Sequence, residues 1–70
     1  MYSPTELIDL IKRFEQTKYK IDILDIDNLR VKGDTIKVDV RFMREGIYYT
    51  SRNNEYQITP IKEWLAKNAV

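Results

Sequence analysis

Seventy residues make one domain, 1–70, and a chain this short buries only about 60% of the surface its unfolded form exposes. It has no cysteine and no histidine, which excludes disulfide staples and the usual zinc sites and leaves an idealised fold or a homo-oligomer interface as the source of stability. At 43% hydrophobic and 33% charged it is too apolar for a disordered chain, and a net charge of +1 announces no strongly electrostatic partner.

The chain opens on a helix N-terminus. Ser3-Pro4-Thr5-Glu6 is a capping box with proline at the first helical position, and Tyr2 and Leu7 have the spacing of a hydrophobic staple. Leu7, Ile8, Leu10, Ile11 and Phe14 then form one apolar stripe, with Asp9, Lys12, Arg13 and Gln16 facing away. Asp9 and Arg13 are four apart in the favourable acidic-first order. The spacing predicts a helix over 4–17.

Residues 18–31 read as strand with an interruption. Tyr19, Ile21 and Ile23 alternate, whereas Leu24, Ile26, Leu29 and Val31 fall on a broken phase. This predicts a strand over 19–26, a bulge or bend at Asp25–Asn28, and a second piece over 29–32. Gly33-Asp34 is a two-residue hairpin loop with glycine first, the type II′ pattern. It sets Lys32 against Thr35, Val31 against Ile36 and Leu29 against Val38. The same register would put Asp27 opposite Val40, which independently calls for a bend before Asn28.

Thr35–Arg44 is the cleanest strand. Ile36, Val38, Val40 and Phe42 alternate with Thr35, Lys37, Asp39, Arg41 and Met43, so apolar and polar side chains occupy opposite faces. The turn Arg44-Glu45-Gly46-Ile47 pairs Met43 with Tyr48, Phe42 with Tyr49 and Val40 with Ser51. A three-residue loop there would shift this by one and exchange the faces. Asn53-Asn54 reads as a type I′ loop, pairing Arg52 with Glu55, Ser51 with Tyr56 and Tyr49 with Ile58. Thr59-Pro60 is an N-cap followed by proline, opening a last helix to about Asn68 with Ile61, Trp64 and Leu65 inward.

The expected fold is α+β. It is a two-layer sandwich in which an antiparallel meander of three or four strands carries the N- and C-terminal helices on one face, in the order α-β-β-β(-β)-α. In element order and length this resembles the double-stranded-RNA-binding domain. The basic motif such domains carry at the start of the second helix is absent, since Thr59-Pro60-Ile61-Lys62-Glu63-Trp64 offers one lysine.

Little in the sequence supports catalysis. Ser3 and Thr59 are used as caps, and with only Gly33 and Gly46 there is no glycine-rich phosphate loop. Asp25-Ile-Asp27-Asn28 begins like a calcium loop, but Arg30 and Ile36 stand where glycine and glutamate would be needed. No enzyme activity, cofactor or metal is expected. No apolar run approaches the ~20 residues of a membrane span and no n-region plus h-region pattern of a signal peptide is read, so the expected location is cytoplasmic and no membrane partner is expected.

Binding is expected through the outward sheet face or a sheet edge. The outward face carries Lys37, Asp39, Arg41 and Met43, then Tyr48, Thr50 and Arg52, then Glu55, Gln57 and Thr59, with Arg44 at the turn. Tyrosine, methionine and arginine are interface-forming types, so Lys37, Arg41, Met43, Arg44, Tyr48 and Arg52 are the candidate binding residues. The partner expected first is a protein, including a second copy of the chain. The alternative is RNA or single-stranded DNA, with bases stacked on Tyr48 and arginines on phosphates. Residues 1–28 carry four basic and six acidic side chains, and residues 29–70 eight and five, a mild excess in the nucleic-acid direction. Asp39 and Glu55 in the same patch weigh against it.

Overall fold

Helix α1 (Pro4–Tyr19) starts as its sequence dictates. Ser3 Oγ accepts the Glu6 N–H at 3.1 Å and Glu6 Oε1 accepts the Ser3 N–H at 3.3 Å, closing the capping box. The structure, a computed structural model, describes residues 2–68. The Tyr2 ring lies under the Lys62 ammonium, 4.7 Å from its centroid, tying the chain start to the last helix. Asp9 and Arg13 form the expected pair at 3.7 Å. The helix runs past the expected end at Thr17 and takes Tyr19 out of the strand. There the Tyr19 ring meets Phe14 edge to face at 6.1 Å. Lys20, at φ 59, stops the helix, and its N–H bonds to Gln16 O.

Three strands follow, β1 (Asp22–Lys32), β2 (Thr35–Arg44) and β3 (Ile47–Gln57), in the order β1-β2-β3 and all antiparallel. Both hairpin loops are as expected. Lys32 faces Thr35 and Val31 faces Ile36 across Gly33-Asp34, where Gly33 has φ +60. Met43 faces Tyr48 and Phe42 faces Tyr49 across Glu45-Gly46, whose φ values of 53 and 79 make a type I′ turn. The predicted break in β1 is a bulge. Asp27 pairs with Asp39 and Arg30 with Lys37, so Asn28 and Leu29 together oppose Val38, with Asn28 at φ 54. A second irregularity leaves Leu24 without a partner between Ile23 and Asp25.

The Asn53-Asn54 turn does not form, and there is no fourth strand among the described residues. Asn53 does take a positive φ of 54, but within a bulge, because Val38 pairs with Asn54 and Val40 with Ser51. The chain then stays on β2, with Glu55 opposite Lys37, Tyr56 opposite Ile36 and Gln57 opposite Thr35. Turning back at Asn53 would have left the first half of β2 unpaired on that side and Tyr56 without Ile36 to pack on. The expected pairs Arg52–Glu55, Ser51–Tyr56 and Tyr49–Ile58 are therefore replaced.

Helix α2 (Ile58–Asn68) follows without a linker, one residue before the expected cap. Thr59 does not cap it; Asp34 does, from the first hairpin loop. Asp34 O accepts the Ile58 N–H at 2.8 Å, and its carboxylate accepts the Thr59 N–H at 3.1 Å and the Thr59 hydroxyl at 2.8 Å.

Both helices cover the face carrying Ile36, Val38 and Val40. Those side chains are buried with Leu7, Ile11 and Ile58, and Ile61 and Leu65 of α2 are buried as well. Trp64, expected in the core, is half-buried and packs edge-on against Phe14 at 5.5 Å. Eleven residues of helix span about 16 Å and eleven of strand about 36 Å, so α2 is far shorter than the β3 strand that precedes it.

Candidate functional site: the uncovered sheet face

Among the described residues no element lies over the opposite face of the sheet. Its residues alternate with the core positions of β2, so the fold that buries Ile36 to Val40 turns Lys37, Asp39, Arg41 and Met43 outward. β1 adds Asp25, Asp27 and Arg30 beside them, and β3 adds Tyr48, Thr50 and Glu55.

This face divides into two parts. The first is a closed polar network at Asp39. One carboxylate oxygen accepts the Asn53 backbone N–H at 2.9 Å and the other accepts the Asn28 side-chain amide at 2.7 Å. Arg30 completes the ring, donating to Asn28 O at 3.2 Å and to Asn53 Oδ1 at 3.1 Å. The two bulged asparagines thus flank Asp39 from the two outer strands. The Asn53 N–H, then the Asn28 amide, hold the Asp39 carboxyl below its ordinary value. Ser51 and Asn54 bond each other across the β3 bulge at 3.1 Å.

The second part is the end nearest Glu45-Gly46. Met43 and Tyr48 are directly opposite each other, and Tyr48 is 72% exposed. Arg41 lies one step inward and points to Asp25 at 3.5 Å, with both side chains well exposed. Such a pair is worth about 0–1 kcal/mol and leaves Arg41 able to move. Arg52 lines a shallow depression with Asp39, Arg41 and Thr50. Lys37, opposite Glu55, lines another with Arg30 and Thr35.

Five of the six sequence-derived candidates, Lys37, Arg41, Met43, Tyr48 and Arg52, therefore share the uncovered face. Arg44 does not join them. It continues the alternation of Phe42, which places it on the helix side at the hairpin end, opposite Ile47. Sequence reading missed the part played by Asn28, Arg30 and Asn53. The available signal was an asparagine at each break in strand pattern, since asparagine tolerates positive φ. It also missed that Ile47 and Tyr49 stay 56% and 44% exposed, with Tyr49 stacked on Phe42 at 5.2 Å.

The helix side offers other chemistry. The Lys18 ammonium lies 5.4 Å from the Phe14 and Tyr19 ring centroids and 5.5 Å from that of Trp64. This aromatic cluster is filled by the chain's own lysine. Glu15 and Tyr56 face each other between α1 and β3, and burial raises the pKa of both. Among the described residues no three acidic side chains converge as metal ligands, and no helix is long and apolar enough to cross a membrane. No family model, curated protein or solved structure matches this chain.

Proposed function

We propose that this chain is a non-catalytic binding module that engages a protein partner through the uncovered sheet face or the sheet edge beside it. Met43 and Tyr48 are the apolar anchor, and Lys37, Arg41 and Arg52 form the charged rim. One observation carries this reading: Tyr48, 72% exposed, stands beside Met43 on a face that no other element covers among the described residues.

The charge pattern favours a protein over a nucleic acid. Asp25, Asp27, Asp39 and Glu55 are interspersed with Arg30, Lys37, Arg41 and Arg52, and Arg41 already points to Asp25. A phosphate-tracking surface needs a continuous run of one sign, whereas mixed charge suits the polar rim of a protein interface.

A photo-cross-linking residue at position 48, in cells expressing the chain, is expected to give a protein adduct that Met43→Asp removes. Adducts to nucleic acid alone would overturn the reading. So would retention on a single-stranded or duplex column that falls steeply with salt and weakens in Arg41→Glu or Arg52→Glu.

A further inference from the structure

We infer that the partner is a second copy of this chain, added edge to edge along Ile47–Ser51 of β3 so that two three-stranded sheets become one. This rests on the protein-binding reading and names its occupant.

The two edges of the sheet differ. β1 is interrupted at Leu24 and at Asn28-Leu29 and carries Asp22, Asp25, Asp27, Arg30 and Lys32. Bulges and charges are the usual protection of a sheet edge. β3 has neither between Ile47 and Ser51: Ile-Tyr-Tyr-Thr-Ser is unbulged, uncharged and free of proline. The two-residue loop makes Arg44 and Ile47 a hydrogen-bonded pair, so by alternation Tyr49 and Ser51 also bond toward β2. The backbone N–H and C=O groups of Tyr48 and Thr50 then point outward, open to another strand.

Exposure tells an edge partner from a face partner. Ile47, Tyr48 and Tyr49 are consecutive and 56%, 72% and 44% exposed, and they alternate between the two faces. A partner lying on the outer face would cover Tyr48 alone. A strand added at the edge meets all three.

Symmetry fixes the register. The regular segment is bounded by the Glu45-Gly46 turn and the Asn53 bulge, so a two-fold axis that keeps all its residues paired must pass at Tyr49. Tyr48 then faces the second copy's Thr50, Ile47 faces its Ser51, and Tyr49 faces its own equivalent, extending the Phe42–Tyr49 stack across the junction. Arg52 falls opposite the second copy's Gly46, next to its Glu45, twice by symmetry. Neither Arg52 nor Glu45 forms an ion pair among the described residues of one chain. The edge is therefore complementary to itself in charge as well as in backbone.

Tyr49 and its equivalent would form a non-hydrogen-bonded pair with Cα atoms about 4.5 Å apart, within disulfide range. The chain has no cysteine of its own. Sedimentation equilibrium of the purified chain is expected to give twice the 8.4 kDa chain mass. Under mild oxidation Tyr49→Cys should become a covalent dimer while Thr50→Cys, which faces the second copy's Tyr48 and not its own equivalent, stays largely uncoupled. Thr50→Pro should return the mass to that of one chain, with far-UV circular dichroism unchanged. If that variant unfolds, Tyr49→Lys, which sets like charges face to face, should do the same. A single-chain mass with an inert Tyr49→Cys overturns the inference. A different protein trapped at position 48 would in that case leave the binding reading standing. A double mass with an inert Tyr49→Cys overturns the β3 edge as the interface.

Discussion

The two hairpin loops have the same length and opposite fates. At Gly33-Asp34 the loop is tied into the core side of the molecule: Asp34 caps α2, and Ile36 and Ile58 beside it are 0% and 3% exposed. At Glu45-Gly46 no helix docks among the described residues, and Ile47, Tyr48 and Tyr49 remain exposed. The difference follows from lengths. α2 begins at the first loop and, at about 16 Å, ends well short of a β3 strand of about 36 Å. One end of the sheet is used for folding, and the other is left exposed.

Substitutions should therefore split by end, and the largest effect belongs to the buried one. Ile36→Ala removes a fully buried side chain at the first end and should cost about 2–5 kcal/mol. For a domain of this size, with roughly 3–5 kcal/mol in total, that is a large share of its stability. Tyr48→Ala at the other end should abolish association and, at chain concentrations too low for wild type to associate, leave chemical denaturation within about 0.5 kcal/mol of it. Equal destabilisation by the two in urea titrations would remove the distinction between the ends.

The cap tests the first end more gently. Asp34→Ala deletes the acceptor for Thr59 N–H and its hydroxyl and should cost about 0.5–2 kcal/mol. Asp34→Asn keeps an acceptor oxygen and should recover part of it. The association measured by sedimentation should not change in either variant.

What was legible in the sequence was whatever is set locally. The α1 cap, the phase of β2 and both hairpin registers depend on side chains within a few residues of each other. The bend in β1 was legible because an unbroken register would have buried Asp27 opposite Val40. The Asn53-Asn54 turn was misplaced because a bulge and a loop ask the same thing of asparagine, a positive φ. Only the need of β2 for a partner along Thr35–Val38 decides between them, and that need is not local. The cap on α2 was misassigned to Thr59 for a similar reason, since Asp34 lies 25 residues away and reaches it only in the fold. On the uncovered face, alternation grouped five of the six candidate residues. Arg44 was assigned by nearness to the turn when its parity places it with Phe42.

Turn chemistry at the second end gives a smaller effect of opposite sign. Glu45 holds φ 53 at the first position of a type I′ loop, where asparagine or glycine is favoured. Glu45→Asn should stabilise by about 0.5 kcal/mol, the scale of relieving one left-handed residue. It should also weaken association, because Glu45 is the acid offered to the second copy's Arg52. A variant both more stable and less associated would separate folding from contact at a single residue; unchanged association would remove the Glu45–Arg52 contact.

The smallest effects come from pH. Asp39 has a folded pKa below its ordinary 3.8, because its ionised form accepts from Asn53 and Asn28. Its stabilisation is full above 3.8 and is lost as pH falls through the lower folded value. Glu15 behaves the other way. Burial raises its pKa above 4.5, so its contribution is full below that value and is lost as pH rises through the folded one. The two carboxylates thus act on different sides of the ordinary range. Asp39→Asn should lower the melting temperature at neutral pH and remove part of the fall below pH 3.8. Glu15→Gln should spare the cost of ionising a buried acid and raise the melting temperature at neutral pH. Because Asp39 staples both bulges on the contact face, its loss should also loosen the strand that carries Arg52. If Asp39→Asn left both the acid limb and the association unchanged, the network would be surface decoration, and the two parts of that face would no longer be coupled.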